Sequence, residues 1–313
     1  MEVAVTGAAG FIGSHLCEAL RAEGRQVIGV DNFDDFYDPE LKRRNLTALS
    51  ADSGFRLVEA DVADSEAIRA ALEGVDAVVH LAARAGVRPS FEVPELYARA
   101  NVIATVALLE AMSALEVPRL VFISSSSVYG DGAESPFRED GDTGVPKSPY
   151  AATKLAGEAL CWAFAHRIPR IAVLRLFSVY GPRQRPDLAI HTFAKRITAG
   201  EPIPVLGDTK SFRDYTYIDD IVGGIVAALE LDEPWVLLNL GSGSPITLEE
   251  MISRLEAAFG RRVERQQLPP HPGDLFGTWA DIDAARRMLG FEPQWTFDRG
   301  VEEYAEWFRN SAG

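Results

Sequence analysis

The 313-residue sequence predicts an α/β fold, in which a doubly wound parallel sheet is followed by a smaller C-terminal lobe. The first indication is that short apolar runs alternate with helical patterns through the first 180 residues. These runs are nearly continuous in apolar residues, which is typical of strands covered by helices on both faces. The second indication is a change after Gly181-Pro182 to shorter helices interrupted by proline and glycine. A chain of this length can bury a core large enough for both parts.

The apolar runs predict the strands of βαβ units. The expected strands are residues 3–6, 26–31, 55–61, 77–81, 119–124 and 171–176, with a further buried run at 235–240 that returns to the large sheet. The helical patterns predict helices over residues 11–23, 64–73, 91–115, 149–167 and 188–199. We expect residues 1–181 to form the sheet domain, with a segment near 211–241 returning to it, and residues 182–313 to form the interleaved second lobe.

Charge and cysteine content narrow the classes of partner and compartment. The net charge of −15 argues against nucleic acid and anionic membranes as partners, since both require basic surface. Cys17 and Cys161 lie among apolar neighbours in predicted helices, which favours buried free thiols. No leader precedes the first strand and no apolar run is long enough to span a bilayer, so we expect a cytoplasmic protein. The histidines show no ligand spacing, and we expect no metal site.

The N-terminal segment has the pattern of a dinucleotide-binding turn. Gly7, Gly10 and Gly13 follow the first strand and open a helix, so the backbone can approach a pyrophosphate and present free N–H groups to it. Asp31 ends the next strand, where a carboxylate accepts hydrogen bonds from ribose hydroxyls and repels a 2′-phosphate. This arrangement predicts a Rossmann-type domain that binds NAD in preference to NADP. The alternative is that Asp31 only caps a turn.

Tyr150 and Lys154 form the pattern that points to chemistry. Ser148 is a good N-cap and Pro149 suits the first helical position, so the four-residue spacing places both side chains on one helix face. A free tyrosine titrates at about pH 10, and a neighbouring ammonium lowers its pKa and makes it a base nearer neutral pH. The alternative is a solvated helix face with no chemical role.

Several motifs together resemble the extended short-chain dehydrogenase/reductase family. They are the GxxGxxG spacing, the Leu81-Ala82-Ala83 strand end, the serine run that continues into Val128-Tyr129-Gly130, and the YxxxK pattern. Within that family the chain is most similar to nucleotide-sugar 4-epimerases. The run from Asp31 to Pro39 resembles the UDP-glucuronate 4-epimerase subgroup in particular.

This resemblance implies a reaction and a set of site residues. Tyr150 would remove the proton of a sugar 4-hydroxyl held by Ser125, while C4 gives hydride to a retained NAD, and Lys154 would bind the nicotinamide ribose. The 4-keto sugar would turn over, and the same hydride would return to its opposite face. The expected cofactor-binding residues are Gly7, Gly10, Phe11, Ile12, Gly13, Asp31, Asn32, Asp61, Val62, Leu81, Ala82, Ala83, Tyr150, Lys154 and Phe177.

The substrate end of the site is implied in the same way. A 4-keto glucuronate is a β-keto acid that loses CO2 readily, so an epimerase must hold its carboxylate in a safe orientation. Arg185 matches the arginine that the subgroup's loop places near this acid, although Arg183 and Arg185 could instead belong to a solvated loop. The expected substrate-binding residues are Arg88, Ser126, Ser127, Ser178, Arg185, Arg213 and Asp274.

Three alternative functions remain open from the sequence. A UDP-glucose/galactose 4-epimerase needs no grip on a carboxylate. A UDP-glucuronate decarboxylase usually places a glutamate just before the Val-Tyr-Gly, where this chain has serine. An NAD-sensing protein without chemistry would typically lack the Tyr150/Lys154 pair. The helices predicted at 91–115 and 149–167 resemble those with which the family forms homodimers.

Overall fold

The structure is a computed structural model that describes residues 1–311. Its centre is a seven-stranded parallel sheet with the order β7-β6-β5-β4-β1-β2-β3. The strands are β1 Glu2–Thr6, β2 Gln26–Asp31, β3 Phe55–Glu59, β4 Ala77–His80, β5 Arg119–Ser125, β6 Arg170–Leu176 and β7 Trp235–Leu240. The order reverses between β1 and β4, and ligands of such sheets bind at the carboxyl ends of the strands near this reversal. The predicted doubly wound fold is confirmed.

Both faces of the sheet are buried, which explains the continuous apolar runs. Along β1, Val3 and Val5 join the core on one face, whereas Ala4 joins the core on the other. Successive side chains of a strand point to opposite faces, so a central strand must be apolar at nearly every position. At the sheet edge, β3 has only exposed and partly buried residues and ends at Glu59, two residues before the predicted end.

Helices cover the sheet, and their bounds differ most from the prediction over residues 91–115. The helices are α1 Phe11–Ala22, α2 Pro39–Asn45, α3 Ser65–Ala71, α4 Pro94–Ala98, α5 Ala104–Ala114, α6 Pro149–Phe164, α7 Ala189–Ala199, α8 Ile218–Ala228, α9 Leu248–Phe259, α10 Asp283–Leu289 and α11 Phe297–Ser311. The predicted start at residue 91 is wrong, because Pro94 disfavours helical backbone at Val93 and itself takes the first helical position. A π-helical segment, Arg99–Ile103, joins α4 to α5.

The chain after β6 builds the other side of the binding cleft from short strand pairs. Ser178–Tyr180 pairs with Tyr215–Tyr217, Phe212–Arg213 with Ile246–Thr247, and Ile203–Leu206 with Arg265–Leu268. Between these segments the chain returns to the sheet, because β7 pairs with β6 along its whole length. The division into two units near residue 181 stays a prediction. No helix within residues 1–311 is long and apolar enough to cross a membrane.

Candidate active site

One large cleft of about 690 Å³ opens at the carboxyl ends of the strands. Its walls include every residue that the sequence assigns to the cofactor or the substrate. The reason is topological, because the glycine turn, Asp31, Leu81 and the serine run all follow parallel strands, whose carboxyl ends meet at one edge of the sheet. Their roles remain predictions, but their proximity is a property of the structure.

The glycine turn is built to receive a phosphate. Gly7 has a φ of +72°, and a Cβ at this position would lie 2.8 Å from the backbone nitrogen of Ala82. A Cβ on Gly13 would lie 2.1 Å from the Gly7 carbonyl oxygen. Gly10 is the N-cap of α1 and has no side chain that could accept from the first N–H groups of the helix. These groups therefore stay free at the start of α1, which lines the cleft. This cradle fits the pyrophosphate of a dinucleotide.

Asp31 is held rigidly at the edge of this cradle. Its Oδ2 accepts from the Ala9 N–H at 3.0 Å and its Oδ1 accepts from the Phe33 N–H at 2.8 Å. Burial raises the pKa of Asp31, while these backbone donors and the Lys42 ammonium act to lower it. The residue therefore fastens a turn, as the alternative prediction had it. It also lines the cleft, where its remaining lone pairs can accept from a ribose.

The helix that carries Tyr150 and Lys154 forms as its sequence predicts. The Ser148 hydroxyl accepts from the Ala151 N–H at 3.1 Å, and Pro149 takes the first helical position. The Lys154 ammonium donates to the Ile123 carbonyl at 2.8 Å, which ties α6 to β5. Burial lowers the pKa of Lys154 to about 8, against the opposing effects of Cys161 and Glu158.

Tyr150 lies partly buried in the cleft wall beside two groups that favour its ionised form. Burial raises the pKa of the phenol, whereas the Ser125 hydroxyl and the Arg185 guanidinium lower it. The expected effect of Lys154 on the phenolate stays a prediction, since its ammonium points to a backbone carbonyl and the charge that acts on Tyr150 is that of Arg185.

A cluster of hydroxyls lies next to Tyr150. Ser125 Oγ accepts from the Ser127 N–H at 3.2 Å and is 3.0 Å from the Ser127 hydroxyl. Ser126 and Ser178 line the same cleft. Hydroxyls of this kind can donate to a carboxylate or accept from a sugar, but they cannot act as the acid–base pair that eliminating water requires.

Arg185 belongs to the cleft wall and not to a solvated loop. Its side chain is 19% exposed, and its guanidinium lies 5.5 Å from the centre of the Phe36 ring. Nε and Nη2 donate to the two carboxylate oxygens of Asp187 at 2.9 and 2.8 Å. This pairing uses one edge of the guanidinium and leaves Nη1 for another acceptor.

An ion pair at the cleft joins the segment after β4 to the segment before α10. Arg88 donates from Nη2 to Asp274 at 2.7 Å, so two residues that were predicted separately form one ion pair. Arg213 donates to the backbone carbonyls of Phe212, Leu275 and Phe276. Both arginines line the cleft and carry positive charge toward it.

Sequence reasoning missed a second group of cleft residues: Asp34, Phe36, Tyr37, Lys42, Arg84 and Gln184. The loop after β2 folds over the cleft and is held there by two cations. Lys42 donates to the Asp34 carbonyl at 2.6 Å, and Arg84 pairs with the Asp34 carboxylate at 3.1 Å. One signal for this contact was available in the sequence: Arg84 directly follows the Leu81-Ala82-Ala83 strand end, and the loop after β2 is acidic. Within the described residues no cluster of His, Cys, Asp and Glu could hold a metal.

The chain matches known proteins along its length. The model of the NAD dependent epimerase/dehydratase family matches residues 3–241. UDP-glucuronate 4-epimerase from Thermodesulfobacterium geofontis is 41% identical over 311 residues, which cover 98% of this chain and 96% of that protein. The crystal structure of UDP-glucuronic acid 4-epimerase from Bacillus cereus, in complex with UDP-glucuronic acid and NAD, has a TM-score of 0.94 and 38% identity, and covers 99% of this chain and 100% of its own. UDP-glucose 4-epimerase from Thermotoga maritima, with UDP-glucose, has a TM-score of 0.92 and 31% identity, and covers 100% of both chains.

Proposed function

Because the chain belongs to the NAD dependent epimerase/dehydratase family, we propose that it is an NAD-dependent isomerase that inverts C4 of a UDP-sugar. The proposed substrate is UDP-glucuronate and the product UDP-galacturonate. The observation that carries this proposal is the position of Arg185, which lines the same cleft as Tyr150 and, because Asp187 accepts from Nε and Nη2, keeps Nη1 for a further acceptor. A cation beside the base is suited to a sugar whose C5 carries a carboxylate.

The residues of the cleft divide the work of the reaction. A bound NAD would supply the acceptor and donor of the hydride. The start of α1 would hold its pyrophosphate, Asp31 its adenosine ribose and Lys154 its nicotinamide ribose. Tyr150 Oη takes the proton of the sugar 4-hydroxyl as the ketone forms and gives it back when the hydroxyl is restored. The Ser125 hydroxyl donates to the same sugar oxygen, O4. The net reaction involves no redox change.

Retention of the carboxylate is the second requirement. In a 4-keto glucuronate, loss of CO2 breaks the C5–C6 bond and sends its electron pair to the C4 ketone oxygen as an enolate, which later takes a proton at C5. This step is fastest when the carboxylate stands perpendicular to the ketone. Arg185, Ser126, Ser127 and Ser178 would hold the carboxylate out of that orientation, and Arg88, Arg213 and Asp274 would hold the UDP.

The experiment is turnover of a panel of UDP-sugars by the purified protein, with product stereochemistry and CO2 release measured. We expect UDP-galacturonate from UDP-glucuronate with little CO2. Faster conversion of UDP-glucose would favour the UDP-glucose 4-epimerase alternative, and UDP-xylose or UDP-4-keto-pentose the decarboxylase. Arg185→Met separates these candidates, because it should reduce turnover of the acid about 100-fold or more beyond its effect on a neutral sugar, which loses only the influence of Arg185 on the pKa of Tyr150. No turnover of any UDP-sugar would leave the NAD-sensing alternative.

We further propose that the protein is a cytoplasmic homodimer. The support for a homodimer is that the helices that the sequence associates with dimerisation expose large apolar side chains: Leu96 is 43%, Ile103 54% and Trp162 62% exposed. Association would bury such side chains. Sedimentation should give a dimer for the parent, and Ile103→Glu should shift the equilibrium toward monomer. A monomeric parent would contradict the proposal.

A further inference from the structure

We propose that Glu18 and Arg183 form an ion pair that positions Arg185 and links the cofactor-binding helix to the substrate carboxylate site. Arg183 Nη1 and Nη2 donate to the two carboxylate oxygens of Glu18, each at 2.7 Å. Glu18 lies on α1, whose first turn forms the phosphate cradle. Arg185 lies two residues after Arg183, so the pair fixes the backbone from which Arg185 extends. This inference rests on the proposed function of Arg185.

The loop of residues 181–187 has the marks of a segment held in one conformation. Arg183 has a φ of +64°, in the left-handed region that costs an arginine free energy, and the contacts of the side chain must offset this cost. Gln184 is 3% exposed, and its side-chain oxygen accepts from the Gly181 N–H at 3.4 Å. At the end of the loop, Arg185 is paired with Asp187. The bidentate contact to Glu18 therefore fastens a loop that is already short and constrained.

A second path connects the same arginine to the dinucleotide turn. Arg183 Nη1 also donates to the Asn45 carbonyl at 3.4 Å, and Asn45 Nδ2 donates to the Ala9 carbonyl at 3.0 Å. Ala9 belongs to the glycine-rich turn, and its N–H is bonded to Asp31. Through Arg183, the loop that carries Arg185 is anchored to the elements that would hold the cofactor. The reactive carbon of that cofactor must meet C4 of the sugar.

Loss of this pair should affect the reaction more than folding. The Arg183 side chain is 19% exposed and the Glu18 side chain 37%, and ion pairs at this exposure add little stability. A small displacement of a positioning group can nevertheless reduce turnover by about 100-fold. For Glu18→Gln we expect kcat/KM on UDP-glucuronate to fall about 10- to 100-fold, with more CO2 released per epimerisation.

The chain offers a matched control on the same helix. Arg21 of α1 makes a bidentate pair with Asp52 at 3.0 and 2.8 Å, with side-chain exposures of 15% and 33%. Asp52→Asn removes an equivalent pair away from the loop of residues 181–187 and should leave kcat/KM and CO2 release unchanged. Both variants should bind NAD as the parent does and melt within about 3 °C of it.

A double variant tests whether Glu18 acts through Arg185. In the Arg185→Met background, Glu18→Gln should cause no further loss, because the group it positions is absent. The inference is overturned if Glu18→Gln matches Asp52→Asn, or if its loss adds fully to that of Arg185→Met. Absence of turnover by the parent would instead count against the proposed function.

Discussion

Arg175→Met should destabilise the protein strongly, because it leaves a carboxylate buried without its charge partner. Arg175 on β6 donates through Nε and Nη2 to Glu158 on α6 at 3.0 and 2.7 Å. The side chains are only 4% and 9% exposed. Breaking a buried pair on one side typically costs about 3–5 kcal/mol, whereas an exposed pair is worth about 0–1 kcal/mol. We expect the larger figure here, since after substitution the Ser124 hydroxyl is the main donor left to Glu158.

The assay is guanidinium unfolding followed by tryptophan fluorescence and circular dichroism, with coincident transitions required for a two-state free energy. The double variant Glu158→Leu/Arg175→Met removes both charges and should lie within about 1 kcal/mol of the parent. A penalty below about 1 kcal/mol for Arg175→Met, or one equal to that of the double variant, would refute this reasoning.

Tyr150→Phe should lower kcat by about 100- to 10,000-fold with NAD content unchanged, measured by turnover and by cofactor release on denaturation. Burial lowers the pKa of Lys154 from 10.5 to about 8, so kcat/KM should fall above pH 8 as the ammonium loses its proton. The buried ammonium also lowers the free energy of unfolding, and this penalty should disappear as the pH rises from 8 to 10.5. Unfolding measured as a function of pH checks the second expectation. Asp31→Asn should weaken NAD binding about 10- to 100-fold and narrow the preference over NADP, measured by fluorescence titration of both cofactors. Asp187→Asn removes the negative charge paired with Arg185, so the pKa of Tyr150 should fall and the acid limb of the kcat/KM profile should move to lower pH.

The strands were predictable because burial on both faces leaves a nearly local signal. A central strand such as β1 must be apolar at each position whichever neighbours it has, so its run is visible without knowledge of the fold. Helix ends were less accurate where a proline overrides the apolar pattern, as at Pro94. The predicted site residues met in one cleft because parallel strands bring their carboxyl ends together.

The missed features depend on which distant segments pack together, and no local spacing encodes that. Phe36 enters the cleft because the loop after β2 folds back toward Arg84, a contact that joins segments about 50 residues apart. The Glu158–Arg175 pair is similar. Glu158 lies on the helix face of Tyr150 and Lys154, which spacing predicts, but Arg175 meets it only because β5 and β6 pair in a register that sets Arg175 beside Ser124.

Arg185 serves two requirements of the proposed reaction, the ionisation of Tyr150 and the binding of the substrate carboxylate, and its pairing with Asp187 affects both. A guanidinium free of any partner would lower the pKa of Tyr150 more strongly, but it would lose that influence once a substrate carboxylate neutralised it. Asp187 already balances part of the positive charge of Arg185 and accepts from Nε and Nη2, so the edge of the guanidinium that carries Nη1 remains for the substrate. Because one edge of a guanidinium cannot fix a carboxylate completely, the hydroxyls of the serine run are needed to complete its orientation.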